Sequence, residues 1–132
     1  MREMERVAII GGPRTGKTTK ARGSVSEGVE LCETDVWKEM PWSDQSDRVA
    51  AWLVSHRDES FVIEGCMVVR GLRKYLRGQS DRPVDVVQVC ETPREPLSRA
   101  QRRMKRGIET VFREIEAELT NRGVRIVRMD AV

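Results

Sequence analysis

Val7-Ala8-Ile9-Ile10-Gly11-Gly12-Pro13-Arg14-Thr15-Gly16-Lys17-Thr18-Thr19 is the stretch on which the reading of this chain turns. An apolar, β-prone run feeds into Gly11-x-x-x-x-Gly16-Lys17-Thr18, and a helix-compatible Lys-Thr-Thr-Lys-Ala-Arg follows. Glycines let the backbone curl through positive φ and approach a ligand closely. The curled N–H groups then form an anion nest at a helix start, where the helix dipole also favours negative charge. Lys17 adds a mobile point charge, and the Thr18 hydroxyl is a hard oxygen donor suited to Mg²⁺.

The spacing is that of the Walker A motif, or P-loop, and strand–loop–helix is the setting the motif requires. It predicts that Gly11, Gly12, Pro13, Arg14, Thr15, Gly16, Lys17, Thr18 and Thr19 wrap the phosphates of ATP or another NTP. Lys17 would meet the β- and γ-phosphates and Thr18 the metal. A glycine-rich turn that binds nothing is the plainer alternative.

Outward from this stretch, strands and helices alternate. Strands are expected at 6–10, 29–33, 61–64, 84–90 and 124–129. Helices are expected at 17–22, over Val49, Ala50, Leu53 and Val54 after a cap by Ser43 or Asp44, and from Met67 to Arg77. Thr92-Pro93 opens a further helical stretch that runs to Arg106 and pauses at Gly107. Ile108, Val111, Phe112, Ile115 and Leu119 then mark an amphipathic helix, closed by Gly123 at the C′ position. The order β-α-β-α-β-α-β-α-α-β predicts a parallel sheet with helices on both faces, in one domain spanning 1–132. No repeat, linker or low-complexity segment interrupts it.

The 132 residues are 39% hydrophobic and 34% charged, with a net charge of +3, so a water-soluble α/β domain is expected. No apolar run is long enough to cross a membrane, and Met1–Arg6 lacks an apolar signal core. The expected compartment is the cytoplasm; the resemblance given below implies that of a bacterial or phage-infected cell. Cys32, Cys66 and Cys90 are odd in number with no C-x-x-C pair, which fits free thiols in a reducing compartment. His56, the only histidine, is expected to be structural.

In open α/β sheets, ligands gather at the carboxyl ends of strands. Asp35 after the second strand is the candidate general base for an acceptor hydroxyl, and Lys38, three residues on, a candidate contact for a substrate anion. Glu64 ends the third strand, where it would hold Mg²⁺. Arg70, Arg73, Lys74 and Arg77 share one helix face, with Arg70 placed to bind an acceptor phosphate. Residues 94–106 hold six basic residues against one acid. Arg99 and Arg103 are expected to close over the transferring group as part of a lid at about 92–107. A turn residue, a solvated lysine and a basic surface are the plainer readings of these positions. Trp37 and Trp42 would stack on a base or serve as packing.

With these residues in view, the chain resembles the P-loop kinases of the nucleoside and nucleotide kinase group. Gly11–Thr18, Asp35, Phe61–Gly65, Arg99 and Arg103 carry the resemblance. Gly107–Ile115 and Arg122-Gly123-Val124 are similar to small kinase-like ATPases of bacteriophages. Asp35 and Lys38 echo polynucleotide 5′-hydroxyl kinases. The resemblance implies a three-layer P-loop NTPase fold with a five-stranded parallel sheet in the order 2-3-1-4-5. It also implies an ATP- and Mg²⁺-dependent transfer of the γ-phosphate to a nucleoside, a nucleotide or a polynucleotide 5′ end. Three departures stand out: the helix after the loop is short, no helix is expected after the fifth strand, where related enzymes often complete the adenine pocket, and the acceptor segment, residues 36–60, is small. The alternative is a nucleotide-dependent, nucleic-acid-binding accessory ATPase without transferase activity, gripping nucleic acid through the basic lid and the Arg70–Arg77 helix face.

Overall fold

The computed structural model describes residues 4–129; residues 1–3 and 130–132, the ends of the expected domain, lie outside them. Strand β1 (Arg6–Gly11) is buried along its whole length, as a central parallel strand covered on both faces must be. It pairs in parallel with β3 (Phe61–Glu64) on one side and β4 (Val86–Cys90) on the other. Strands β2 (Glu30–Glu33) and β5 (Arg125–Met129) form the edges, so the sheet is all-parallel in the order 2-3-1-4-5.

The helices divide unequally. Helix α1 (Lys17–Ser24) lies alone on one face, where Ala21 joins Val7, Ile9, Val62, Val86 and Cys90 in the smaller core. Helices α2 (Trp42–Ser55), α3 (Val68–Gly78) and α4 (Arg99–Asn121) cover the other face and enclose the larger core. Helices α2 and α3 pack closely because Gly71 leaves room for Val49: a Cβ on Gly71 would stand 2.1 Å from Val49 Cγ1.

Three local expectations are corrected. Ser43 and Asp44 do not cap α2; Pro41 holds the N-cap position with no side-chain cap, and Asp44 sits in the first turn. Residues 92–98 form no helix. Nor does the last helical region break at Gly107, since α4 is one helix of 23 residues. Its start is fixed by a reciprocal capping box: Ser98 Oγ accepts from the Gln101 N–H at 3.2 Å, and Gln101 Oε1 accepts from the Ser98 N–H at 2.9 Å. Glycine inside a helix costs about 1 kcal/mol, less than this cap and the buried stripe from Ile108 to Leu119 return. The order is therefore β-α-β-α-β-α-β-α-β, with a single 3₁₀ turn (Thr34–Trp37) after β2.

At the end remote from the site, Arg6 is tied to Asp85. Arg6 Nε and NH2 donate to the Asp85 carboxylate at 3.2 and 3.1 Å, and the Arg6 backbone N–H donates at 2.8 Å. This fork fixes the start of β1 beside the start of β4.

Candidate functional site

The loop after β1 is held open by backbone geometry that other residues resist. Gly11 adopts φ 152°, and a Cβ there would stand 2.3 Å from the Cys90 carbonyl oxygen, so β4 approaches where only glycine permits it. Gly16 adopts φ 82° at the N-cap position of α1, and Arg14 takes a positive φ of 61° without being glycine. The loop lines a cleft of about 320 Å³ together with Asp35, Glu64, Gly65, Cys66 and Gln101.

Lys17 is buried at 7% exposure, and its Nζ donates to the Gly12 carbonyl at 2.6 Å and to Thr15 Oγ1 at 3.4 Å. The Thr18 hydroxyl donates to Glu64 Oε1 at 3.1 Å. Glu64 lies beside Ile9 and Glu33 in sheet register, on the face that α1 covers, and is 2% exposed. Burial raises its carboxyl above the ordinary glutamate range; the Thr18 hydroxyl and the Lys17 charge pull the other way, and Asp35 adds to the rise. Asp35 sits on the 3₁₀ turn, exposed at the cleft wall. The cleft therefore joins nest, ammonium, hydroxyl, buried carboxylate and exposed carboxylate at the carboxyl ends of β1, β2 and β3.

Lys38 follows on the same turn. Its backbone N–H donates to the Asp35 carbonyl at 3.1 Å, while its ammonium is exposed and has no partner among the described residues. Arg99 and Arg103 do not line the cleft. Both are exposed on the side of α4 away from its buried stripe. The α4 residues that face the loop are Gln101, in the cleft wall, and Lys105, whose stem packs on Gly12.

Arg94, which sequence reasoning counted in the basic segment but did not single out, is the arginine that meets the loop. Its backbone N–H donates to the Arg14 carbonyl at 2.7 Å, and its guanidinium lies so close to Gly16 that a Cβ there would be 2.7 Å from Cζ. Next to it, Glu95 pairs with the Arg14 guanidinium, which also donates to Gln101 at 3.4 Å. Segment 92–98 is thus docked on the loop by two consecutive residues. Its position directly after β4, at the sheet's ligand-binding edge, was the available signal.

The basic face of α3 is largely committed inside the protein. Arg73 donates to Glu114 at 3.1 Å and Lys74 to Asp47 at 2.7 Å, tying α3 to α4 and α2. Arg70 packs under Trp42. On α4, by contrast, Arg99, Arg103 and Arg106 are exposed and have no partner among the described residues.

The remaining expectations concern thiols, histidine and metal. All three cysteines are free; Cys32 and Cys90 are buried in the sheet, and burial pushes the Cys32 thiol up to about 12. His56 stacks on Trp52 with ring centroids 3.9 Å apart, and its Nδ1 lies 2.9 Å from the Trp52 carbonyl oxygen, a packing role. No cluster of three His, Cys, Asp or Glu side chains able to hold a metal occurs among the described residues. A hard cation at Thr18 and Glu64 would complete its oxygen shell with phosphate and water, as Mg²⁺ does. No helix among the described residues is long and apolar enough to cross a membrane.

Set against known proteins, the chain matches no family model, and no curated protein matches it.

Proposed function

We propose that the protein is a P-loop phosphotransferase that uses ATP and Mg²⁺ to phosphorylate a hydroxyl or phosphate of a nucleoside, nucleotide or polynucleotide end. The observation that carries this reading is the shared cleft: the phosphate-loop residues Pro13–Thr19, the Thr18–Glu64 contact at 3.1 Å and Asp35 among the lining residues. The loop amides and Lys17 would hold the β- and γ-phosphates, for which Lys17 must leave the Gly12 carbonyl. Thr18 and Glu64 would hold Mg²⁺, which when bound supplies charge neutralisation on the phosphate oxygens.

For a hydroxyl acceptor the step is a displacement. The oxygen forms a bond to the γ-phosphorus as the bond to the ADP oxygen breaks, and the hydroxyl proton passes to the Asp35 carboxylate. Arg94, already seated on the loop, is better placed than Arg99 or Arg103 to meet charge building on the phosphates.

The test is incubation with γ-labelled ATP and a panel of nucleosides, nucleotides and 5′-hydroxyl DNA and RNA. Label should pass to one acceptor class. Lys17→Ala and Asp35→Asn should both abolish transfer, the second with ATP binding retained. Full activity in Asp35→Asn would remove that residue from the base role.

A second reading, a nucleotide-dependent nucleic-acid-binding ATPase, is favoured by one observation: the unpaired, exposed Arg99, Arg103 and Arg106 on α4. Salt-sensitive DNA or RNA binding with no transfer to any acceptor would select it.

A further inference from the structure

Arg70 presents an unresolved charge. It projects from the first turn of α3 into the junction of three helices. Its Cζ lies 5.1 Å from the centre of the Trp42 ring at the start of α2. On its other side is Gly107 of α4, where a Cβ would stand 2.9 Å from Arg70 NH2. Its NH1 is shut off from solvent and has no hydrogen-bond partner among the described residues. Burial lowers its pKa, and Arg73, one turn on, lowers it further. The carboxylates nearest in sequence logic are engaged elsewhere, Asp47 with Lys74 and Glu114 with Arg73. A half-buried guanidinium with no anion is costly, and it keeps its N–H donors free for one.

Two features say what the anion belongs to. Trp42 is 53% exposed, so one ring face is held by Arg70 while indole surface remains open to stack on a base. Cys66, four residues before Arg70, lines the same cleft as Asp35, Glu64 and the loop. Helix α3 starts two residues after Cys66, so Arg70 stands in the turn next to that wall. Gly107 itself, unfavourable inside a helix, is explained by the room Arg70 needs.

We propose that Trp42, Arg70 and Gly107 form the acceptor site, and that the acceptor carries a phosphate ester next to a stackable base and draws the Arg70 guanidinium out of its enclosure to meet that phosphate. The proposal rests on the phosphotransferase reading for the word acceptor, but the binding site does not. Its ligand chemistry is common to a mononucleotide and to a polynucleotide end, and it excludes a neutral nucleoside.

The test is a fluorescence titration in a Lys17→Ala background, which removes the loop's phosphate grip, without ATP. The probes are adenosine, 3′-AMP, 5′-AMP and a 5′-hydroxyl oligonucleotide of eight residues. Tryptophan quenching reports binding, and loss of the signal in Trp42→Phe assigns it. At least one phosphate-bearing probe should bind about tenfold or more tightly than adenosine, as expected for a charge-assisted contact. Preference for AMP identifies a mononucleotide source, and preference for the oligonucleotide a polynucleotide end; either supports the site. Arg70→Met should erase the preference for phosphate, and Gly107→Ala, which displaces the guanidinium without removing its charge, should weaken it severalfold. Without ligand, Arg70→Met should melt at or above the temperature of its parent, because an unpaired charge has been removed. Equal affinity for adenosine and every phosphate probe overturns the proposal. So does an Arg70→Met protein that still prefers phosphate, whatever its melting temperature. If the wild-type protein fails to bind ATP while these results hold, the phosphotransferase reading falls and the site stands.

Discussion

Replacing Glu64 with glutamine tests the cleft through its most buried charge. Glu64 is 2% exposed, and burial raises its carboxyl above the ordinary glutamate value despite the Thr18 hydrogen bond and the nearby Lys17. A carboxyl that holds its proton more firmly folded than unfolded destabilises the fold wherever it must ionise. That penalty is absent below the unfolded value and appears as pH rises through the raised folded one. Glutamine keeps an oxygen to accept from Thr18 and removes the charge. Removing a buried charge while keeping the hydrogen-bond acceptor should raise stability at neutral pH, and for a chain this size each 1 kcal/mol gained reads as about 4 °C in Tm. Thermal unfolding from pH 4 to 8, without ligand, should show Glu64→Gln gaining on wild type as pH rises and converging with it near pH 4. With ATP present, Mg²⁺ should raise the Tm of wild type much more than that of the variant. A variant that is less stable at every pH, by a constant margin, would refute the argument that an uncompensated buried carboxylate is stored in the cleft.

Other predictions address the scaffold and the loop. Gly71→Ala places a Cβ 2.1 Å from Val49 Cγ1; overpacking less the helix-propensity gain should cost about 1–2 kcal/mol in a urea titration, and Val49→Ala should relieve it. Asp85 is held below the ordinary aspartate range: burial works against this, but the Arg6 fork outweighs it and Arg82 assists. The stability it contributes is present above that range and is lost as pH falls through the lowered value. Asp85→Asn should cost about 1.5–3 kcal/mol at pH 7, as for losing a hydrogen bond to a charged group, and flatten the acid limb of the stability curve. Arg94→Ala should weaken ATP binding by about tenfold in calorimetry, while Arg99→Ala should change it by less than about twofold; the reverse order would restore the outward arginines to the phosphate site.

The fold was legible because its signals are local. The apolar run into Gly11 names a buried strand, and alternation of strand and helix names a parallel sheet. The acids that follow β2 and end β3 fall at its carboxyl edge without further information, which is why Asp35 and Glu64 could be placed beside the loop. What was not legible depends on contacts between distant segments. Nothing near Arg70 in sequence says that Trp42 and Gly107 will enclose it. Nor does the charge pattern of α3 reveal that Arg73 and Lys74 are spent on Glu114 and Asp47.

The outward direction of Arg99 and Arg103 is a different case, because the information for it was in the sequence. Spacing of four says that Arg99 and Arg103 lie along one side of a helix; it does not say which way that side points. Direction comes from the buried stripe of Ile108, Val111, Phe112, Ile115 and Leu119. Carried back in helical steps, that stripe passes through Met104 and Lys105 to Gln101, which do face the core and the loop, and leaves Arg99 and Arg103 outside it. Carrying it back requires the helix to be continuous, and a pause at Gly107 severs the phase. Ser98-x-x-Gln101 is the pattern of a capping box; once it marks the helix start, Gly107 becomes an interior residue and the arginines turn outward of necessity. The error lay in treating glycine as punctuation when a stronger start signal stood nine residues upstream.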